Sequence, residues 1–375
     1  MQRADVGIIT FHCSDNYGAM LQAYGLKNYL RIRGIKAEII RYEPFFMVGR
    51  NWLIPYAPVG SIAGVLRYAC WGMKSHMKMS KDFLRLRRNM QSFRETYLID
   101  KRSKRLRFAP QMKTLSYKYY IIGSDQIWNP DITFGLRRVY FGDFRNKRKE
   151  KVIAYAASLG GRSLSVEYDE KFTELLNHVD AISVREKEAL SYVERHCIGK
   201  ASAVLDPVFL LTKEDWKKLE ISPDLPHYIV VYRAEENPEM SAYLKTFSRE
   251  KNLPVIELKV TCEKKESDFI VDAVAGPAQF LGYLHKADYV ITNSFHAVAF
   301  SIIFEKRFMA FSHTSRNERL NNILKICGLT ERIYHRENPP KMDEDIAWEK
   351  VKNNLKEEIR HAEDFLTESL LSKEE

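Results

Sequence analysis

Short apolar runs rich in β-branched residues alternate with amphipathic stretches along most of the 375-residue chain. Each run is long enough for one buried strand, and most amphipathic stretches are long enough for one helix. Strands that alternate with helices form parallel sheets, because a connection between parallel strands must cross the sheet. The alternation therefore predicts an α/β fold, and the length indicates two domains.

The predicted strands fall into two groups that divide the chain near residue 212. They lie at residues 6–11, 36–42, 119–123, 151–158, 181–185 and 202–207, and then at 228–233, 254–260, 288–293 and 307–312. We predict an N-terminal Rossmann-like domain over residues 1–211, a C-terminal Rossmann-like domain over 212–345 and a charged amphipathic helix over 346–375. Two such domains commonly bind a ligand in the cleft between their strand ends.

Residues 44–115 interrupt the alternation and become strongly basic. Between Arg67 and Arg107 there are 13 Lys or Arg residues and 3 Asp or Glu residues. We interpret the interruption as a basic helical insertion in the N-terminal domain. It is either a solvated face or a surface for an anionic membrane or a phosphate-bearing, lipid-linked glycan. Aromatic residues that could stack on sugar rings lie beside it, namely Trp52, Tyr56, Tyr68, Trp71 and Phe83.

Charge and cysteine usage narrow the class of protein. The formal net charge is +10, which fits anionic ligands. The five cysteines form no C-x-x-C pair, so we expect no metal site and a reducing cytosol. The first residues lack the apolar core of a signal peptide, and the most apolar segment, 289–304, is too short and too polar to span a bilayer. We predict a soluble, cytoplasmic protein.

Polar residues cluster where predicted strands end, although the sequence has no G-x-G-x-x-G loop, P-loop or G-x-S-x-G elbow. The first cluster, His12 to Gly18, opens the first predicted helix. Asp15 or Asn16 can cap that helix, and Gly18 lets a phosphate or carboxylate approach the backbone. The alternative is an ordinary capped turn.

The second cluster, residues 123–130, directly follows a predicted strand. Its candidate site residues are Ser124, Asp125 and Asn129. The alternative is a turn network in which these side chains satisfy backbone groups, with Trp128 as a packing anchor.

The third cluster contains Arg185, the last residue of a predicted strand. An arginine at a strand end can bind a phosphate or carboxylate bidentately. The alternative is a structural ion pair with Glu186 or Asp206.

The fourth cluster follows the strand at residues 288–293 and contains Ser294 and His296. His296 is placed in the first turn of an apolar helix, where the helix dipole lowers the pKa of an imidazole and favours bound anions. Arg316 and Arg319 follow the next strand and could point into the same cleft. As single residues, both are also compatible with a solvated helix.

In this order, the clusters resemble the polysaccharide pyruvyl transferase family. The matching segments, which cover most of the chain, are NYGAMLQAYGLKNYL, GSDQIWNP, AYAASLG, ISVRE, VLDPVFLL, ITNSFHAVAFSIIF and RNERLNNILKICGL. The resemblance implies two Rossmann-like domains that face each other across a cleft, a GT-B-like arrangement. It also implies transfer of the enolpyruvyl group of phosphoenolpyruvate to two hydroxyls of a sugar, with release of phosphate and without a metal or organic cofactor.

The resemblance also implies roles for single residues. His296 matches the family's catalytic histidine, a general acid or a phosphate contact. Arg185 matches the arginine of the S-x-R-[DE] motif and would hold the donor's phosphate or carboxylate. Well-studied members have an arginine two residues before this histidine, where this chain has Ser294. We expect Arg316 or Arg319 to replace the lost charge.

Two alternatives share the scaffold: a GT-B-type glycosyltransferase that uses a nucleotide sugar, and a non-catalytic relative. A nucleic-acid-binding protein ranks lower, because the basic residues concentrate in one insertion and no recognised binding motif is present. The expected partners are phosphoenolpyruvate and a glycan acceptor of surface polysaccharide or cell-wall synthesis, which can be lipid-linked. Peripheral contact with an anionic membrane is a further expectation, and a nucleic acid partner is not expected.

Overall fold

Two parallel sheets, one in each half of the chain, form the framework of the molecule. The structure is a computed structural model that describes residues 4–48, 81–145, 150–260, 268–312 and 317–371. Every strand pairing in both sheets is parallel. The α/β fold with two Rossmann-like units predicted from the alternation is therefore confirmed.

The first sheet has six strands among the described residues, in the order β2-β1-β3-β4-β5-β6. Its strands are β1 (Val6–Ile9), β2 (Ala37–Ile39), β3 (Tyr119–Asp125), β4 (Lys151–Ala157), β5 (Ala181–Val184) and β6 (Ala201–Ala203). From β1, the strand order runs to β2 on one side and to β3 and later strands on the other, so the order reverses between β1 and β3. In open parallel sheets, ligands bind outside the carboxyl ends of the strands at such a reversal.

The second sheet has five strands in the described ranges, in the order β11-β10-β7-β8-β9. These strands are β7 (Ile229–Tyr232), β8 (Val255–Leu258), β9 (Ile270–Asp272), β10 (Tyr289–Thr292) and β11 (Arg307–Ala310). Here the order reverses between β7 and β10. A second binding crevice is thus expected beyond the ends of these two strands.

Helices connect the strands of both sheets. Those of seven or more residues in the described ranges are α1 (Tyr17–Ile32), α2 (Lys81–Phe93), α3 (Asp169–Leu176), α4 (Leu190–His196), α5 (Pro238–Lys251), α6 (Pro277–Lys286), α7 (Phe295–Ile303), α8 (Glu318–Cys327) and α9 (Trp348–Leu371). Shorter helices include Phe45–Val48, Pro130–Thr133 and Lys213–Lys217.

The two units pack on each other through aromatic side chains. Tyr17, at the start of α1, stacks on Phe280 of α6 with ring centres 4.5 Å apart, and its ring lies 5.4 Å from that of Tyr232. The Tyr17 hydroxyl donates to the Ala275 carbonyl oxygen at 2.8 Å. All three aromatic rings are buried in a core that includes residues of both units.

Helix α9 contacts both units. Near its start, the Asn354 amide donates to the Cys327 carbonyl oxygen at the end of α8. Near its end, Glu363 pairs with Arg33 beyond the end of α1, with 2.6 Å between carboxylate oxygen and guanidinium nitrogen. Phe365 lies 6.4 Å from the ring of Tyr155 in β4. A helix is therefore present over Trp348–Leu371, within the predicted range 346–375, and it contacts both the second unit and the first.

The insertion is helical over only part of the predicted range. Residues 49–80 lie outside the described residues, and these include Trp52, Tyr56, Tyr68 and Trp71. Helix α2 and a π-helical turn (Arg94–Leu98) follow. After that the chain runs beside the first sheet, where Leu106 forms an isolated parallel bridge with Tyr42. Phe83, expected beside a sugar-binding surface, is instead buried in the core, because it lies on the apolar face of α2.

The apolar segment 289–304 consists of strand β10 followed by the nine-residue helix α7. Within the part of the chain that the structure describes, no helix is both long and apolar enough to cross a bilayer.

Candidate active site

The carboxyl ends of the two sheets meet at a contact between Gly18 and His296. Gly18 lies in the first turn of α1, after β1, and His296 lies in the first turn of α7, after β10. A Cβ atom built on Gly18 would lie 2.0 Å from Nδ1 of His296. The imidazole can therefore occupy this position only because residue 18 has no side chain. The structure thus brings two predicted site residues from different units together.

Asp206 lies on the other side of the imidazole. Its Oδ2 atom is 3.6 Å from Nε2 of His296, and it accepts a hydrogen bond from Nη1 of Arg185 at 2.7 Å. Its Oδ1 atom accepts from the backbone N–H of Val208 and so caps the short helix that follows. Burial opposes the charged form, but the imidazole and the guanidinium hold the pKa of Asp206 well below its usual range. The carboxylate is therefore ionised and can stabilise a protonated His296.

Arg185 is surrounded by carboxylates. Besides the bond to Asp206, its Nη2 lies 3.7 Å from Oδ1 of Asp125, and its Nε lies 3.8 Å from Oε1 of Glu186. The pairs considered as an alternative from the sequence are thus present. Even so, Nε and Nη2 of Arg185 are buried and have no hydrogen-bond partner among the described residues. The side chain therefore keeps two donors with which it could bind an anion.

Glu186 is a fully buried carboxyl group at the base of this cluster. Its Oε1 accepts a hydrogen bond from the Ser158 hydroxyl, and its Oε2 has no hydrogen-bond partner in the described ranges. Burial raises the pKa of Glu186, against the opposing effect of Arg185 and Arg319. The Oε1 atom of Glu186 also lies 3.9 Å from Nε of Arg319, so Glu186 lies between two guanidinium groups.

A small pocket opens between the units at this point. Its polar lining is Arg185, Asp206, Arg319 and Asn322, and its apolar lining includes Phe295 and Ile323. The guanidinium carbons of Arg185 and Arg319 lie 5.4 and 5.9 Å from the centre of the Phe295 ring. The pocket thus presents two cations beside an aromatic ring, an arrangement suited to a small anionic ligand.

The remaining residues of the first cluster have structural contacts. Asn16 caps α1, since its side chain accepts from the N–H of Ala19 at 3.0 Å. Asp15 is paired with Arg87, at 3.2 Å, and with Arg94, which anchors α2 to the first unit. His12 is fully buried, and burial lowers its pKa to about 4. Within this cluster, Gly18 lies directly against the imidazole of His296.

Most of the second cluster forms a turn network. Asn129 accepts from the N–H of Asp131 and donates to the side chain of Gln126. The Ser124 hydroxyl donates to the Ala156 carbonyl oxygen, and the indole of Trp128 is buried and donates to Tyr140. The alternative interpretation therefore describes Ser124 and Asn129, whereas Asp125 lies near Arg185.

The remaining predicted site residues are Ser294, Arg316 and Arg319. Ser294 is buried at the start of α7, and its hydroxyl does not cap the helix. Its backbone N–H donates to the Thr292 hydroxyl at 3.0 Å. Arg316 lies outside the described residues, so its replacement of the motif arginine stays a prediction, whereas Arg319 lines the pocket.

The acidic residues beside the pocket have more contacts with the site than the sequence indicated. Glu186 and Asp206 were considered only as ion-pair partners of Arg185, and Phe295 was not considered. The sequence L-D-P at residues 205–207 carried a usable signal, because an aspartate before a proline is typical of a helix N-cap close to a strand end.

Two parallel α/β units with a buried ionic cluster where their strand ends meet define a two-domain protein of the α/β class. A family model described as polysaccharide pyruvyl transferase matches residues 16–315. The chain belongs to this family, whose members are transferases. No curated protein sequence matches the chain significantly.

Solved structures with a related shape include two UDP-GlcNAc 2-epimerases and a glycosyltransferase. The epimerase from Neisseria meningitidis, bound to UDP-GlcNAc, aligns over 97% of this chain and 93% of its own, with 8% identity and a TM-score of 0.46. The epimerase from Rickettsia bellii aligns over 99% and 100%, with 10% identity and a TM-score of 0.46. The glycosyltransferase SnogD from Streptomyces nogalater aligns over 98% of this chain and 99% of its own, with 12% identity and a TM-score of 0.39. Similarity at this level supports no argument about activity.

Proposed function

We propose that the chain moves the enolpyruvyl group of phosphoenolpyruvate onto two hydroxyls of a glycan sugar, which forms a pyruvate ketal and releases phosphate. The observation that carries the proposal is the buried cluster at the junction of the units. There, two donors of Arg185 that have no hydrogen-bond partner among the described residues lie beside Arg319, and Nε2 of His296 lies 3.6 Å from the carboxylate that Arg185 binds. The family assignment supports a transferase, and the cluster supplies two guanidinium groups as hydrogen-bond donors for this anionic substrate.

The donor carries two anionic groups, a phosphate and a carboxylate. A guanidinium can bind either group through two parallel N–H donors. We assign one group to Arg185 and the other to Arg319, whose guanidinium supplies the charge lost with the motif arginine at Ser294. The N-terminus of α7 adds a partial positive charge at the same edge of the sheet.

In the proposed reaction, His296 acts as the general acid. Its imidazolium gives a proton to the methylene carbon of phosphoenolpyruvate while a sugar hydroxyl attacks the neighbouring carbon and returns its own proton to the imidazole. The carbon–oxygen bond to phosphate then breaks, and a second hydroxyl attacks the same carbon. Its proton leaves with the phosphate. Asp206 stabilises the imidazolium, and no step requires a metal or an organic cofactor.

Thermal unfolding in the presence of ligands tests the donor assignment without an acceptor. Phosphoenolpyruvate at 100 times its dissociation constant should stabilise the fold by about 2.7 kcal/mol, which raises Tm by a few degrees. Arg319→Gln should abolish this shift, whereas Arg336→Gln, an exposed arginine that lies outside the pocket, should retain it.

Controls with inorganic phosphate and nucleotide sugars separate the alternatives. A shift with a nucleotide sugar but not with phosphoenolpyruvate would contradict the proposal and favour a glycosyltransferase. If none of these ligands raises Tm, the result would favour a non-catalytic relative.

We further propose that the acceptor is a lipid-linked glycan intermediate at the inner face of the cell membrane, with α2 in contact with anionic lipid. Arg85 and Arg88 are exposed on α2, whereas Arg87 is held by Asp15. Flotation with vesicles that contain phosphatidylglycerol should detect the contact. Since each basic residue near the surface contributes about 1 kcal/mol, Arg85→Gln with Arg88→Gln should weaken binding roughly 30-fold.

Lys356→Gln with Arg360→Gln, two exposed residues of α9, provides the matched control for this flotation measurement. Equal flotation of the α2 variant and the wild type would rule out the membrane contact.

A further inference from the structure

Arg233 is a nearly buried arginine that the proposed chemistry does not use. It directly follows β7, and its side chain is 9% exposed. Its Nη1 donates to Oε1 of Glu257 in β8 at 2.5 Å. Its Nε and Nη2 are buried and have no hydrogen-bond partner within the described part of the chain. Buried donors without an acceptor are rare in native proteins and call for an explanation.

Glu257 holds a second cation at the same place. Its Oε2 lies 3.1 Å from the ammonium nitrogen of Lys259, whose side chain is 13% exposed. One carboxylate, itself almost completely buried, is therefore shared by two cations, and the more exposed carboxylate of Glu236 lies 3.9 Å from Nη1 of Arg233. A structural pair would normally engage the guanidinium through two parallel bonds. Here Glu257 uses one oxygen for each cation and so positions both while leaving donors of Arg233 unused.

The position of this pair in the fold favours ligand binding. Strands β7 and β10 flank the reversal of strand order in the second sheet, where ligands of such sheets bind. Asn293, three residues before His296, accepts from the N–H of Ala234 and donates to the carbonyl oxygen of Glu235. The loop that carries Arg233 is thereby fixed to the turn that carries His296.

The charges of the two clusters fit two different anions. The proposed donor has two anionic groups, and Arg185 and Arg319 supply one guanidinium for each. Arg233 and Lys259 directly follow β7 and β8 and add a further pair of cations, with which the cleft can bind an anion besides the donor. A phosphate oxygen accepts hydrogen bonds from both a guanidinium and an ammonium group.

We infer that Arg233 and Lys259 form a second anion subsite, which binds a phosphate or diphosphate group carried by the glycan acceptor. The assignment of this anion to a glycan acceptor rests on the proposed function, whereas the anion subsite itself does not. The shared chemistry is a glycosyl diphosphate, which occurs both in nucleoside diphosphate sugars and in lipid diphosphate sugars.

Calorimetric titration with inorganic pyrophosphate tests the subsite. Arg233→Gln should lower the affinity at least tenfold. Arg249→Gln, an exposed arginine on α5, should leave it unchanged. Arg319→Gln should also leave it unchanged, because that residue belongs to the donor pocket. Loss of pyrophosphate binding in Arg319→Gln but not in Arg233→Gln would place the anion in the donor pocket and overturn the inference.

A second variant controls for misfolding, because Arg233→Gln removes one of the two cations that bind the buried Glu257. The double variant Arg233→Gln, Glu257→Gln removes that charge, and it should fold and still bind pyrophosphate at least tenfold more weakly. Wild-type affinity in this folded double variant would mean that the ion pair is only structural.

Two further titrations identify the source of the diphosphate. Tighter binding of uridine diphosphate than of pyrophosphate would assign the subsite to a nucleotide-linked acceptor, and tighter binding of geranyl diphosphate would assign it to a lipid-linked one. The phosphoenolpyruvate-dependent Tm shift should persist in Arg233→Gln. If phosphoenolpyruvate produces no shift in the wild type while the Arg233-dependent affinity remains, the proposed function fails and the subsite stands.

Discussion

Replacing His296 with glutamine should lower the rate of phosphate release from phosphoenolpyruvate, in the presence of acceptor, by about 10²- to 10⁴-fold. Glutamine can occupy a similar volume but cannot donate a proton to carbon. The KM for phosphoenolpyruvate should change little, because Arg185 and Arg319 are assigned to the donor's anionic groups. A steady-state assay of released phosphate, with kcat and KM determined separately, measures this result.

Gly18→Ala tests the same imidazole by displacing it. The added methyl group would lie 2.0 Å from Nδ1 of His296, so the ring must move. A displacement of about 1 Å can lower a rate roughly 10²-fold. Gly161→Ala is the matched control, because a Cβ atom there meets no atom within 4 Å. Wild-type rates in His296→Gln would exclude this residue as the general acid, and wild-type rates in Gly18→Ala would show that the contact does not position it.

Arg185→Met should lower the free energy of unfolding by about 3–5 kcal/mol, the usual effect of removing one partner from a buried ionic group. The methionine fills the space of the side chain but leaves Asp125, Glu186 and Asp206 without the cation that they share. The loss includes the stabilisation of two charged carboxylates, because this guanidinium lowers the pKa of Glu186 and, after His296, the pKa of Asp206. Urea denaturation monitored by circular dichroism measures the change.

The double variant Arg185→Met, Asp206→Asn separates the charge from the packing. Removing the orphaned carboxylate charge should recover part of the lost stability, whereas Arg249→Met should leave the unfolding free energy within about 0.5 kcal/mol of wild type. An Arg185→Met protein as stable as the wild type would mean that water or nearby cations already balance the three carboxylates.

The sequence was sufficient to predict the framework. Strands buried on both faces of a parallel sheet appear as continuous apolar runs, so β3, β7 and β10 were readily found. Each strand end could also be located, because polar residues begin abruptly where burial stops. Arg185 and His296 were placed correctly at such ends for this reason.

Contacts between the units could not be predicted in the same way. The approach of Gly18 to His296 depends on how two separately folded sheets face each other, and no local pattern encodes that orientation. The roles of Glu186 and Arg233 could not be predicted either. A charged residue can line a site or face solvent, and the sequence does not show which of the two is buried. In the described part of the basic insertion, Lys81–Leu98 and Ala109–Thr114 are helical and residues 99–108 are not, a division that a basic composition does not specify.

Helix α9 has a consequence for the order in which the protein matures on the ribosome. Domains of nascent chains generally fold as units, beginning with the N-terminal one. The surface around Tyr155 and the end of α1 is covered by Phe365 and Glu363, which are translated long after the first sheet is complete. The first unit must therefore emerge with an uncovered apolar patch that the last helix closes. Chaperone binding during synthesis should accordingly concentrate on the interval before α9 leaves the exit tunnel.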